Sequence, residues 1–177
     1  WLGMKHTNIE LVTEYDDSWE IVRTETYITR PTITFALVYE CAEFLASMDG
    51  NPDDDEIHVM LDLVQRIYDN QFTKRELAEG LHATTATREL YKQIVFVGSG
   101  QYLSDEVEES TEVESQNVNG FKDHKENLKA ALQRMVKEGG QSYNDALSLP
   151  FYIVFDELNS KAKDKGDRKE SMLDAFR

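Results

Sequence analysis

The sequence predicts a mainly α-helical protein with a small N-terminal β-hairpin, an α+β chain, and three observations lead to this fold class. First, β-branched and aromatic residues alternate imperfectly with polar residues over positions 7–30, which favours strands. Second, apolar residues recur every three or four positions in several later segments, the period of amphipathic helices. Third, capping and helix-breaking residues separate those segments. A chain of 177 residues has room for one domain, or one domain and an appendage.

Two strands joined by a turn are expected first, because residues 9–12 and 19–28 flank the turn-forming residues 15–18. The next element is a helix over residues 32–48, since its many apolar residues have helical spacing. Thr32 is its expected N-cap. This helix is apolar around much of its circumference, so we expect it at the centre of the fold. Cys41 on it is therefore expected to be a buried small hydrophobe.

Further helices are indicated by charges, caps and glycines. Residues 53–56 are all acidic, which suits the N-terminus of a second helix that carries an apolar stripe over residues 57–68. Thr73 and Glu76 have the spacing of a capping box. The short helix that they open should end at Gly80, in the left-handed conformation typical of a C′ glycine. Helices are also expected over residues 86–97, over residues 122–138, at residues 142–145 and after Pro150.

The charge balance changes at residue 121. Residues 1–121 hold 24 acidic and 8 basic residues, whereas residues 122–177 hold 10 acidic and 11 basic residues. Six of the ten residues over 105–114 are acidic, and such a self-repelling stretch is typical of an extended spacer. Gly98 and Gly100 are expected to form a hinge beside it. We therefore expect three parts: an acidic helical unit over residues 1–97, an acidic flexible linker over 98–121, and a small helical extension over 122–177.

Composition excludes several classes of function. A net charge of −15 argues against general nucleic-acid binding, and no apolar run approaches the roughly 18 residues of a membrane span. The start lacks a signal-peptide core, so an intracellular protein is expected. The four histidines are scattered without ligand spacing. A calcium loop from Asp49 fails, because Asp54 and Met60 stand where glycine and glutamate are needed. We expect no catalytic residue, metal or cofactor, and hence no enzyme.

Residues 61–82 read LDLVQRIYDNQFTKRELAEGLH: an apolar helix, an Asn-Gln-Phe-Thr segment, and a short helix followed by Gly-Leu-His. This order resembles the tail assembly chaperones of long-tailed bacteriophages, and the resemblance spans residues 4–97. Residues 128–155, with an apolar helix, a glycine stop, a short helix and an aromatic-rich helix, resemble the domain that a programmed frameshift adds to a fraction of these chaperones. The chain is thus similar to the longer, frameshift-extended form.

The resemblance implies a non-enzymatic chaperone of the host cytoplasm that is absent from the mature virion. Many self-associating copies would coat the tape-measure protein and keep it soluble, and the extension would recruit tail-tube subunits. An acidic exterior suits this role because like-charged copies stay dispersed while an apolar groove holds the client. No nucleic acid and no membrane partner is expected. The candidate partner-binding residues are Phe35, Tyr39, Tyr68 and Phe72 for the client, and Phe151, Tyr152 and Phe155 in the extension.

One alternative comes from another class of protein, an acidic DNA mimic that inhibits a host nucleic-acid enzyme. Its working carboxylates would be those of residues 53–56 and 105–114. Mimicry needs carboxylates held rigidly at the spacing of phosphates, which a flexible linker does not supply. The chaperone is therefore the favoured interpretation.

Overall fold

The computed structural model describes residues 6–29, 33–99 and 118–150 of the chain. In these ranges it contains a two-stranded antiparallel sheet and six helices, which confirms the mainly α-helical fold with an N-terminal hairpin. The elements in chain order are β1 (Asn8–Tyr15), β2 (Ile21–Ile28), α1 (Phe35–Ser47), α2 (Asp54–Ile67), α3 (Lys74–Gly80), α4 (Ala86–Ser99), α5 (Val118–Lys137) and α6 (Tyr143–Leu147). The candidates Phe151, Tyr152 and Phe155 lie outside the described residues.

The hairpin packs on the helices mainly through β1. Ile9 and Leu11 of β1 are both 2% exposed, and β1 lies against α3. All residues of β2 are exposed or half-buried. The strands pair from Asn8 opposite Ile28 to Tyr15 opposite Ile21, with irregularities near the turn. In β2, Tyr27 packs against the core, whereas most of this strand and the turn face solvent.

Helix α1 lies at the centre of the molecule, as predicted. It contacts α2, α4, α5 and α6, and Phe35, Val38 and Cys41 on it have no exposed surface. The helix begins at Phe35, three residues later than predicted. Its N-cap is Thr34, whose side chain accepts a hydrogen bond from the Leu37 N–H. The expected cap Thr32 lies outside the described residues.

Capping boxes begin both α2 and α3. The Asp53 carboxylate accepts from the Glu56 N–H at 2.8 Å, and the Glu56 carboxylate accepts from the Asp53 N–H at 2.9 Å. The box predicted at Thr73 and Glu76 is confirmed, with the equivalent distances of 3.1 and 2.7 Å. Each pair satisfies backbone donors that the first turn of a helix leaves without intrahelical acceptors.

The expectation of a left-handed Gly80 is wrong. Gly80 is the last residue of α3, and the glycines with positive φ among the described residues are Gly50 and Gly140. A Cβ on Gly80 would lie 2.9 Å from the Cβ of Leu11 and 3.1 Å from the carbonyl oxygen of Val12. Glycine is therefore needed here because α3 approaches the backbone of β1, not because the helix ends.

The hinge expected at Gly98 is also wrong. Gly98 lies inside α4 and is buried, and a Cβ there would lie 3.0 Å from the Leu45 Cδ1 and 3.3 Å from the Ala42 nitrogen. The missing side chain allows α4 to lie close against the backbone of α1. Gly140, at φ +63°, follows α5 as the sequence predicted.

Helices α5 and α6 complete the same core as the first four helices. Leu128, Ala131, Leu132 and Ala146 are at most 3% exposed, and the two leucines and Ala146 belong to one apolar cluster with α1, α2 and α4. At the end of the described range the Phe35 N–H donates to the Leu149 carbonyl at 2.8 Å. The described part of residues 122–177 thus packs on the N-terminal unit, and the change of charge at residue 121 is not a break in packing.

Two polar contacts fix α5 against α1 and α4. The Lys125 ammonium pairs with the Glu43 carboxylate of α1 at 3.0 Å, and Nε2 of His124 donates to the Gly98 carbonyl of α4 at 2.7 Å. Helix α5 begins at Val118, so both ends of the predicted linker, residues 98–99 and 118–121, are helical. The separate functions of the three predicted parts stay a prediction.

Candidate partner-binding surface

Three of the aromatic residues predicted to bind a client are parts of the core. Phe35 and Tyr68 have no exposed surface, and Phe72 is 3% exposed. The Phe72 ring meets Tyr27 edge-on, with centroids 5.0 Å apart, and lies 5.3 Å from the Tyr68 ring. A side chain buried in this way offers no surface unless the core opens. Tyr39 is half-buried, so it is the member of this set with surface available in the described fold.

Exposed apolar surface is concentrated on the hairpin instead. Seven large apolar side chains are exposed in the described ranges, and five of them lie between residues 15 and 28. We call residues 8–28 the hairpin arm, and we call Tyr15, Trp19, Ile21 and Val22 its apolar tip. Trp19 is 82% exposed and Val22 is 57% exposed. Outside the arm the exposed ones are Val59 and Tyr143.

The order of the residues in β2 indicates this exposed surface, whereas the residue types alone do not. Ile21 and Val22 are adjacent in β2, so they point to opposite faces of the sheet. A strand with apolar side chains on both faces is fully covered only inside a larger structure. In a two-stranded hairpin that rests on helices through β1, some of these side chains must remain exposed.

The base of the arm is firmly attached to the helices. The Gln71 side-chain amide donates to the Ile28 carbonyl at 3.0 Å, and the Gln93 amide donates to the Asn8 carbonyl at 3.0 Å. Gln93 is itself buried and accepts a hydrogen bond from the Tyr68 hydroxyl at 2.7 Å. These contacts connect one end of both strands to α2, α4 and the turn before α3, while the apolar tip lies at the other end.

The turn at the tip holds Trp19 in an unusual backbone conformation. Trp19 has φ of 64°, in the left-handed region that glycine and asparagine tolerate best. The Asp16 carboxylate accepts from the Ser18 and Glu20 N–H groups at 2.8 and 2.9 Å, and the Trp19 N–H donates to the Asp16 carbonyl. The turn therefore keeps a large exposed indole where a small residue would be less strained.

The arm is strongly acidic around its apolar side chains. It holds one basic residue, Arg23, and six acidic residues: Glu10, Glu14, Asp16, Asp17, Glu20 and Glu25. Arg23 pairs with Glu25 at 3.2 Å. The Glu25 carboxylate also accepts from the Tyr27 hydroxyl at 2.8 Å, and this hydrogen bond raises the pKa of Tyr27. Six acids against one base leave the arm with a net charge of −5.

Other features of the described ranges offer less to a ligand. No group of three histidine, cysteine or carboxylate side chains there could hold a metal ion. Two carboxylates of the acidic cluster at residues 53–56, those of Asp53 and Glu56, are engaged in the cap of α2. Within residues 6–29, 33–99 and 118–150, none of the helices is long and apolar enough to cross a membrane.

Comparison with known proteins assigns a family. The sequence model of a family described as phage tail chaperone protein matches residues 4–117, well over half of the chain. The chain belongs to this family. The resemblance to tail assembly chaperones drawn from residues 61–82 is thereby confirmed. No curated protein and no solved structure matches the chain.

The family match covers the hairpin arm and α1 to α4, and it ends one residue before α5. The arm with its apolar tip is thus part of the tail chaperone region. Helices α5 and α6 lie beyond the match, although they share its core. Whether they belong to a frameshift-extended form stays a prediction.

Proposed function

We propose that this tail chaperone binds the tape-measure protein in the host cytoplasm, keeps it soluble, recruits tail-tube subunits and leaves before the virion is complete. The observation that carries the proposal is the family match over residues 4–117. A tail chaperone needs a client among the tail proteins. A long tape-measure protein that exposes apolar helices before the tube surrounds it is the client that needs protection from aggregation.

The surface of the chain supports such a role. It combines exposed apolar side chains on the hairpin arm with a net charge of −15. Apolar side chains supply contact with an aggregation-prone client, while the surplus of like charge keeps chaperone–client complexes apart in solution. Several copies along one client, as self-association implies, would increase both effects.

The DNA-mimic alternative has less support. The carboxylates of Asp53 and Glu56 accept hydrogen bonds from backbone N–H groups at the start of α2. These two acidic residues therefore have a local structural role. The other acidic stretch, residues 105–114, lies outside the described residues. We therefore do not propose inhibition of a nucleic-acid enzyme.

We further propose that residues 122–177 recruit tail-tube subunits through Phe151, Tyr152 and Phe155, while residues 4–97 hold the client. The aromatic cluster stands in a segment that is otherwise rich in charge, and aromatic residues are enriched where proteins bind one another. This division does not require two separate cores, since one folded unit can present two surfaces.

Co-expression tests this proposal directly. Tape-measure protein expressed with the full chain should appear in the soluble fraction and co-purify with it, whereas tape-measure protein alone should be insoluble. Purified tail-tube protein should bind that complex, and the double variant Phe151→Ser and Phe155→Ser should lose tube binding while keeping the client soluble. Insolubility of the tape-measure protein with and without the chain would overturn the proposal.

A further inference from the structure

We infer that the hairpin arm is a docking surface for a positively charged client segment that carries apolar side chains next to Lys or Arg. The inference rests on the proposed function only in taking that client to be a tail protein.

The apolar tip has no role in the core. Ile9 and Leu11 attach β1 to the helices, and Tyr27 attaches β2 through Phe72. The four tip residues are 39 to 82% exposed, and the first four residues of β2 are all exposed. Stability of the folded chain therefore does not explain why four large apolar side chains stand at this end of the hairpin.

The backbone at Trp19 is strained. A bulky residue at φ of 64° is held in a conformation that L side chains disfavour. The Trp19 ring lies against Tyr15, at a centroid distance of 6.1 Å with a tilt of 54°. Strained backbone that carries an exposed tryptophan is typical of a surface kept for binding, since tryptophan is enriched among residues that dominate interface energies.

The charge of the hairpin arm indicates the chemistry of its partner. The arm carries a net charge of −5 around its apolar tip, so two arms brought face to face would repel each other. The arm of a second copy is thus a poor occupant, whereas a segment with Lys or Arg beside apolar residues complements both features. Because most of the arm's carboxylates are exposed, attraction should act before contact and depend on salt.

A synthetic peptide tests the surface without the natural client. The probe is a fluorescein-labelled 16-residue peptide of alternating Leu and Lys, and its partner in the comparison is the matched peptide of Leu and Glu. Fluorescence anisotropy with the full chain should show binding of the Leu/Lys peptide, weakened at least tenfold by the variant Trp19→Asn. The variant Val22→Ser should also weaken binding. Asparagine suits the positive φ, and circular dichroism should show both variants folded.

Matched variants test whether the Leu/Lys peptide binds the hairpin arm or binds acidic proteins in general. Tyr143→Asn removes an aromatic side chain that is 58% exposed on α6 and should leave the affinity within twofold. The pair Asp17→Asn and Glu20→Gln should weaken binding and flatten its salt dependence more than the pair Asp54→Asn and Asp55→Asn, which removes the same charge elsewhere. Equal effects of the two charge pairs, or unchanged affinity of Trp19→Asn, would overturn the inference.

The natural client separates this inference from the proposed function. If the full chain keeps the tape-measure protein soluble and Trp19→Asn does so equally well, the inference fails while the chaperone function stands. If the full chain does not keep that protein soluble, the function fails, and the peptide experiment still decides the role of the arm. Association of the chain with itself that Trp19→Asn abolishes would also contradict the inference, because a second copy would then be the occupant.

Discussion

Gly80 and Gly98 occupy positions where two backbone segments meet, and neither role can be seen in the neighbouring sequence. At Gly80 the sequence around α3 predicts a helix stop, yet the residue that requires glycine is Leu11, 69 positions earlier in the chain. At Gly98 the requirement comes from Leu45 and Ala42 of α1. Glycines chosen by tertiary contact look the same in a sequence as glycines chosen by backbone conformation.

Replacing Gly80 should lower stability through overpacking. In Gly80→Val the new Cβ would lie within 3.1 Å of both the Leu11 Cβ and the Val12 carbonyl oxygen, so α3 and β1 must separate. Such overpacking typically costs about 1–3 kcal/mol. Urea unfolding measures it.

Gly120→Ala is the matched control. A Cβ there has open space around it in α5, and alanine favours helix over glycine by about 1 kcal/mol. This variant should therefore be neutral or more stable. Equal stability of Gly80→Val and the unchanged chain would mean that the approach of α3 to β1 is looser than described.

Trp19→Asn should not reduce stability, which is unusual for a tryptophan replacement. The change removes an exposed indole and relieves a residue at φ of 64°. A non-glycine residue in such a conformation costs about 1–3 kcal/mol. Part of this relief is offset by the lost contact with Tyr15. The melting temperature should stay equal or rise, and a fall of several degrees would show that the indole stabilises the hairpin.

Among the secondary-structure elements, the sequence predicts hydrogen bonds of helix caps reliably, because both hydrogen-bond partners lie within one turn of the helix. The capping box of Thr73 and Glu76 could be predicted because its two residues are three positions apart. The packing of α5 on α1 could not, because charge and composition change at residue 121 while the apolar stripe of α5 continues to face the core. The charged residues of a helix indicate which face is exposed to solvent. They do not indicate which element the apolar face contacts.

If α5 belongs to the same core, weakening α5 should affect α1. Leu128 has no exposed surface, so Leu128→Ala should cost about 2–5 kcal/mol. The single cysteine of the chain, Cys41, is buried in α1, and burial raises the pKa of its thiol. Cys41 should therefore react slowly with a thiol reagent in the folded chain and faster in the variant.

Lys129→Ala is the neighbouring control in this experiment. Lys129 is exposed, and surface changes of this kind usually stay within about 0.5 kcal/mol. Two separate unfolding transitions, with the reactivity of Cys41 unaffected by Leu128→Ala, would show that α5 forms a unit of its own.

His124 should make the docking of α5 sensitive to acid. Burial lowers the pKa of His124, although its hydrogen bond to the Gly98 carbonyl acts in the opposite direction. Between the folded pKa and the ordinary value near 6.5, the unfolded chain binds more protons, so stability is lost as the pH falls through this window. Glutamine can also donate to that carbonyl, so His124→Gln should lose less stability than the unchanged chain from pH 7 to pH 5. Equal losses in the two proteins would remove His124 as a cause.

The described residues share one apolar core, and the charge of the chain is unevenly distributed along the sequence. The sequence located the central helix, the hairpin and most of the core, because these follow from residue type and spacing. It did not locate the exposed surface. Phe35, Tyr68 and Phe72 are predicted from the sequence to bind a client, yet each is buried. The exposed Trp19 opens a segment that the sequence predicts only as a strand. Which apolar residues face solvent depends on how many elements cover the hairpin, and this is decided by tertiary packing.

Refolding of the proposed client measures the chaperone function and the part that the hairpin arm plays in it. Tape-measure protein, the proposed client, is diluted from denaturant, and light scattering measures its aggregation with the full chain, with Trp19→Asn or with Tyr143→Asn present. The full chain and Tyr143→Asn should suppress scattering at concentrations comparable to that of the client, and Trp19→Asn should require at least several-fold more. Undiminished scattering in the presence of the full chain would contradict the proposed chaperone function.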